Sequence, residues 1–264
     1  MYKIEFSILS YYLSILTKEN INVGLLFQNM DTDETIFYIM NNWNRLQSFD
    51  DELDIKFMKK YLTGMKNECE KSLFNINNDK KFSLKEYISY YVNELQFSNI
   101  IEANITNIRE FIDNTEKVYM KFDFNKHERL SSQKELKFMK MLMKSNNINY
   151  SSKSIIGKFN ENVQYDFMVN KYGFKNFIFE NKNISRQIST AKAWAYTANK
   201  LKNNYKTIFV YDIEKLDSSN YTIIMKILKE NAYKVIPSTD VLVCAKNLQN
   251  EKHNQSEKDF MLEN

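Results

Sequence analysis

Residues 163–182 read Val163-Gln164-Tyr165-Asp166-Phe167-Met168-Val169-Asn170-Lys171-Tyr172-Gly173-Phe174-Lys175-Asn176-Phe177-Ile178-Phe179-Glu180-Asn181-Lys182. Two runs of mixed apolar and polar residues flank Gly173, which reads as the turn between two strands. Side chains alternate faces along a strand, so Ile178, Glu180 and Lys182 share one face while Phe177 and Phe179 share the other. A hairpin would bring Asp166 beside Glu180. Two carboxylates and one ammonium would then converge at the end of a hydrophobic strand. Charge is expensive there unless a metal ion or a substrate phosphate belongs to the design. The bland alternative is a solvated Glu180–Lys182 pair on an edge strand, with Asp166 as a turn-proximal charge.

The elements around this stretch extend the pattern. A Lys-rich helix is expected from about Gln133 to Ser145, and a strand near Ser154 to Phe159. The Asp166 and Glu180 strands follow, then a helix from Ser185 to Leu201 and a strand from Thr207 to Tyr211. This order, helix-strand-strand-strand-helix-strand, resembles the PD-(D/E)xK restriction-endonuclease-like superfamily over residues 128–245. The resemblance implies a mixed-sheet fold with flanking helices. It also implies that Asp166 and Glu180 hold a divalent cation, Mg²⁺ or Mn²⁺. Lys182 would polarise the attacking water or the scissile phosphate. Glu135 on the first helix and Gln187 on the second would support them. Many nucleases of the superfamily pair to cut both strands, so a homodimer is implied as well.

The chemistry is coherent. Phosphodiester hydrolysis needs an activated water and neutralised phosphate charge, which a divalent cation with open positions supplies. A lysine adds positive charge where negative charge develops. On the helix after Glu180, Arg186, Lys192 and Lys200 are candidates for contacts with backbone phosphate, and Tyr196 could stack on a base. Ile184, Ile188, Ala191, Ala195 and Ala198 form a stripe of mostly small residues that can lie close on a sheet. Trp194 reads as core.

Composition narrows the classes. The 264 residues are 43% hydrophobic and 14% aromatic, enough for real cores. One proline and four glycines argue against long flexible linkers. No apolar stretch approaches the ~20 residues of a membrane span, and Met1 to Leu16 does not read as a signal peptide. Cys69 and Cys244 lie far apart and fit a reducing, cytoplasmic setting. There is no Gly-rich phosphate loop and no G-x-S-x-G, so NTP-driven chemistry and serine hydrolysis are not expected. Lysine far outnumbers arginine, and with abundant Asn, Ile and Tyr this suggests an AT-rich genome. Residues 1–124 carry 14 basic and 19 acidic side chains, and residues 125–264 carry 23 and 14. The half with the motif is therefore basic, which favours nucleic acid, DNA above all.

The N-terminal part reads as an antiparallel meander: Tyr2 to Leu16, Ile21 to Phe27, and Thr35 to Met40. Helices follow, one after Asp51 to about Cys69, one capped by Ser83 with Glu86 three residues on. Tyr87, Tyr90, Tyr91 and Leu95 continue that second helix as an apolar stripe. Asn22-Val23-Gly24-Leu25-Leu26-Phe27, with Trp43-Asn44-Arg45-Leu46 and Phe57, resembles an uncharacterised bacterial domain family marked by an N-V-G-apolar-apolar-F strand. No chemistry follows from that likeness. Gly24 suggests a bulge or a close backbone contact, and Asn22 and Arg45 suggest structural hydrogen bonding more than ligand binding.

The reading is therefore a cytoplasmic α/β protein. An α+β domain occupies 1–124, a restriction-endonuclease-like domain 125–247 and a polar tail 248–264. The expected function is a metal-dependent DNA nuclease, in the setting of phage–host conflict. The alternative is a nuclease-like module without catalysis that binds nucleic acid or a protein partner, such as a phage-encoded inhibitor of a bacterial defence complex.

Overall fold

A computed structural model describes residues 1–14, 16, 19–70, 82–177, 184–211 and 219–262, apart from the side chains of 219–221 and 252–262. The chain is α/β, with helices around mixed and antiparallel sheets. It divides into an N-terminal unit, Met1–Asn146, and a C-terminal unit, Asn147–Asn264.

The N-terminal unit is built on a meander of β1 (Tyr2–Ser14), β2 (Glu19–Asn29) and β3 (Thr35–Ile39). The short strands β4 (Leu95–Phe97) and β5 (Ile101–Ile105) both pair with β1, and every pairing in this sheet is antiparallel. Phe6 faces Phe27 across β1 and β2, with ring centroids 5.6 Å apart. Phe111 and Tyr119 of α4 (Ile108–Tyr119) close over Phe6. Burying each such ring removes about 1.5–3 kcal/mol of apolar exposure, so this aromatic stack is the natural centre of the unit. Gly24 serves both purposes expected of it. The β1–β2 register shifts between Leu9 and Ser10, and a Cβ on Gly24 would lie 3.0 Å from the Tyr38 carbonyl oxygen.

Helices α1 (Trp43–Phe49), α2 (Ile55–Glu70) and α3 (Leu84–Ile88) complete the unit with α4 and α5 (Ser132–Ser145). Ser83 caps its helix as the sequence suggests, accepting from the Glu86 N–H, and Asn107 caps α4 in the same way by accepting from the Glu110 N–H. The edge strand β3 is covered by α2, whose Glu70 accepts from the Phe37 N–H at 2.9 Å. Leu95 lies on β4 and not on the Tyr87 helix, which ends at Ile88.

The expected boundary near residue 124 moves to 146. Asp123 ties the segment after α4 back onto the unit. Its carboxylate accepts from the backbone N–H groups of Asn41 and Asn42 and from the Tyr38 hydroxyl. Arg45 and Arg129 both lie over the Phe122 ring, at 4.5 and 4.7 Å. Then α5 stacks Phe138 on Phe111 and bonds the Asn146 amide to the Glu102 carbonyl. The charge asymmetry shrinks accordingly. Residues 1–146 carry 20 basic and 21 acidic side chains, and residues 147–264 carry 17 and 12. The C-terminal unit remains basic by five charges, not nine.

The C-terminal unit holds a four-stranded sheet in the order β11-β10-β9-β8. These are β8 (Phe167–Val169), β9 (Tyr172–Phe177), β10 (Lys206–Tyr211) and β11 (Lys234–Pro237). β8 and β9 are antiparallel, while β9, β10 and β11 run parallel. The parallel strands require crossovers, supplied by α6 (Ile184–Leu201) and α7 (Ser219–Asn231). Ala191 and Ala198 of α6 are fully or nearly fully buried against Phe177 and Phe209, because small residues let the helix lie close. The stretch near 154–159 forms only β6 (Ile155–Ile156), paired with β7 (Asn162–Val163) outside the sheet. Ser151, not β6, bridges to Met168 on β8. The chain from Val241 forms α8 (Val241–Leu262), so most of the polar tail expected at 248–264 is helical, and the helix is buried through Val241, Leu242, Ala245 and Leu248.

Candidate functional site

Gly173 is not at the hairpin turn. Val169 pairs with Tyr172, so the turn is Asn170-Lys171, with Asn170 in the left-handed region at φ 52°. Gly173 lies inside β9 because the Tyr165 ring crosses it: a Cβ there would come within 2.6 Å of that ring. The Tyr165 hydroxyl is 2.6 Å from the Thr207 hydroxyl on β10, and its ring lies 5.5 Å from Trp194 on α6. This buried lock fixes the chain where it delivers the next residue, Asp166.

The two-residue turn sets the register. Phe167 pairs with Phe174, so the hairpin brings Lys175 and Asn176 against Asp166. The Asp166 Oδ2 atom accepts from the Asn176 N–H at 2.7 Å. Its Oδ1 atom lies 3.3 Å from the Lys175 Nζ atom, and the two side chains are 20% and 24% exposed. The ammonium also lies 4.9 Å from the Trp194 ring centroid. Asp166 is thus a partly buried, oriented carboxylate with an ammonium beside it. It stands near the C-terminal ends of the parallel strands, the edge where open α/β sheets bind ligands.

The same edge carries Tyr211 and, just past β11, Asp240. Burial pushes the Asp240 carboxyl above its ordinary range, against a hydrogen bond from Thr239 that lowers it. Burial, helped by the Asp240 charge, pushes the Tyr211 hydroxyl up as well.

Glu180 and Lys182 lie outside the described residues, as do Ile178, Phe179 and Asn181. Gln187 is half-buried on the first turn of α6, and Arg186, Lys192 and Lys200 are exposed on the same helix. Glu135 belongs to the N-terminal unit, where it pairs with the nearly buried Lys121 at 3.4 Å. Its first engagement is therefore local. Among the described residues no group of three His, Cys, Asp or Glu side chains could hold a metal ion. Asp166 offers the hard oxygen donor that Mg²⁺ or Mn²⁺ takes, and the second expected ligand is the undescribed Glu180.

Sequence reasoning missed Lys175. The signal was Asn170, a residue that tolerates the left-handed conformation and could have marked a two-residue turn. Counting from that turn places residue 175 opposite residue 166.

A family described as a protein of unknown function (DUF3037) matches residues 6–103, from β1 into β5 and over a third of the chain. The match includes the Asn22–Phe27 strand and excludes the whole C-terminal unit. No curated protein and no solved structure matches. In the matched region Asn22 accepts from the Ser10 hydroxyl and donates to the Tyr119 carbonyl. Those bonds give Asn22 a structural role. Among the described residues no helix is long and apolar enough to cross a membrane.

Proposed function

We propose that the C-terminal unit is a metal-dependent nuclease that hydrolyses DNA phosphodiester bonds, in the cytoplasm and in the setting of phage–host conflict. The observation that carries this reading is the Asp166 carboxylate, partly buried and oriented by the Asn176 N–H, with Lys175 beside it. It starts an antiparallel hairpin that leads through α6 to a parallel strand. The sequence Glu180-Asn181-Lys182 begins three residues after that hairpin's last described residue, Phe177.

In this reading Asp166 and Glu180 hold the divalent cation. The bound ion supplies an activated water and charge neutralisation on the phosphate. Lys182 places positive charge at the attacked phosphate, and Lys175 holds Asp166 in orientation. The water would lose a proton to solvent and its oxygen would bond to phosphorus as the bond from phosphorus to the leaving deoxyribose oxygen breaks, that oxygen taking up a proton to leave as an alcohol. Arg186, Lys192 and Lys200 contact backbone phosphate, and Gln187 supports the site from the first turn of α6. Glu135, engaged by Lys121, is the weakest member of the set.

One observation favours a second reading. Both Asp166 oxygens already have partners within the protein, as a purely structural pair would. The unit would then be a binding module without catalysis, directed at nucleic acid or at a protein of a defence system. Cleavage of DNA with Mg²⁺ or Mn²⁺ present, lost on Asp166→Asn, supports the nuclease. Retained DNA binding without cleavage by the wild-type protein supports the module.

A further inference from the structure

The exposed side of α6 has a composition that solvation alone does not require. The helix runs for 18 residues without an aspartate or glutamate. Its buried side is Ala191, Ala195, Ala198 and Leu201. The opposite side exposes Arg186, Lys192, Tyr196 and Lys200. Tyr196 is 53% exposed, and the Lys200 Nζ atom lies 5.2 Å from its ring centroid. Lys192, Tyr196 and Lys200 are four residues apart, so each step rises ~6 Å along the helix. The face thus sets cation, aromatic ring and cation at intervals comparable with the nucleotide step of an extended strand.

A second exposed ring lies on the same unit. Ile155 and Val163 of the β6–β7 ribbon pack with Trp194 and Leu201 of α6, which anchors the ribbon on the helix. Its tip exposes Ile156 and Phe159, at 69% and 67%, beside Lys158. The tip is not loose. The Gly157 N–H donates to the Glu161 carbonyl at 2.7 Å, and the Phe159 N–H donates to the Glu161 carboxylate at 2.8 Å. Asn160 closes the turn at φ 61°. Phe159 is therefore an exposed ring on a hydrogen-bonded turn.

We propose that the exposed α6 face binds single-stranded DNA, Tyr196 stacking on a base while Arg186, Lys192 and Lys200 meet phosphates, and that Phe159 at the β6–β7 tip is a second base-stacking ring. The proposal rests on the nucleic-acid part of the functional reading and not on its catalysis. Stacking on exposed rings selects unpaired bases, since duplex bases cover one another's faces, and it tolerates any sequence. The net charge of the unit complements the strand.

The test is fluorescence anisotropy of the full chain in EDTA, which keeps cleavage out of the measurement. The probes are labelled oligothymidylate of about 20 nucleotides and a duplex of the same length. The single strand is expected to bind about tenfold more tightly than the duplex. Tyr196→Ala and Phe159→Ala should each weaken single-strand binding about tenfold and leave duplex binding unchanged. Tyr196→Trp should restore it. Equal affinity for both probes, or no effect of either alanine, would overturn the proposal. So would tighter binding of oligouridylate, which would assign the surface to RNA. Loss of the nuclease reading would appear elsewhere, as absent cleavage with Mg²⁺, and would leave this result standing.

Discussion

Asp166 is held from two sides, by the Asn176 N–H and the Lys175 ammonium, so its carboxylate is oriented before any ligand arrives. Asp166→Asn keeps an oxygen for the Asn176 N–H and removes the charge. Cleavage should fall by about 100-fold or more, while the urea midpoint shifts by less than about 1 kcal/mol in stability. Lys175→Met removes the cation that orients Asp166, so it should lower cleavage as well as stability. It leaves a partly buried carboxylate held by the Asn176 N–H and should cost about 1–3 kcal/mol in urea unfolding. Gly173→Ala drives a methyl into the Tyr165 ring and should also cost about 1–3 kcal/mol. An unchanged melting temperature in Gly173→Ala would remove the account of that glycine. Asp166 stands out in the sequence as a carboxylate before a hydrophobic strand. Lys175 beside it was not legible, because a hairpin's register depends on the turn, and the glycine read as the turn is a packing glycine.

At the scale of elements, α4 carries a titration. Burial pushes the Glu116 carboxyl up to about 7 from its ordinary 4.5. Asp113 and Asp123 push the same way, and Lys117 and Lys66 oppose them. A carboxyl raised by folding binds its proton more tightly in the folded chain. Its stabilising contribution is therefore full below the ordinary value and is lost as pH rises toward about 7. The side chain is only half-buried, so the loss is on the order of 1 kcal/mol after solvent screening. Thermal melts should show stability declining across that window in the wild type and a flatter profile in Glu116→Gln. Identical profiles would contradict it. The long strands β1 and β2 and the small-residue side of α6 were legible because their patterns repeat over many residues. The strands β4 and β7 have three and two residues, too few for alternation to register, and the strand expected near 154–159 is realised only over the two residues of β6. α8 was obscured because its second half carries no apolar stripe to match Val241, Leu242, Ala245 and Leu248.

At the scale of the molecule, the two units divide the questions. The family match falls in the N-terminal unit, and Asp166, Lys175 and the basic face of α6 fall in the C-terminal unit. The boundary at 124 failed because a polar, charged segment resembles a linker, while Asp123, Phe122 and Arg129 make it part of the first unit's packing. Moving that boundary lowers the C-terminal charge excess, so the polyanion argument now leans on where α6 places its cations. DNA affinity should fall linearly on a log–log plot against salt, by about 0.7 in slope per phosphate contacted for a single strand. A salt-independent affinity would point to a protein partner. The most direct measurement is cleavage of plasmid and single-stranded DNA with Mg²⁺ or Mn²⁺ against EDTA, run beside Asp166→Asn and Glu180→Ala. The account predicts metal-dependent cutting that both variants lack. Cutting unchanged in both variants, or no cutting while DNA binding is retained, would contradict it.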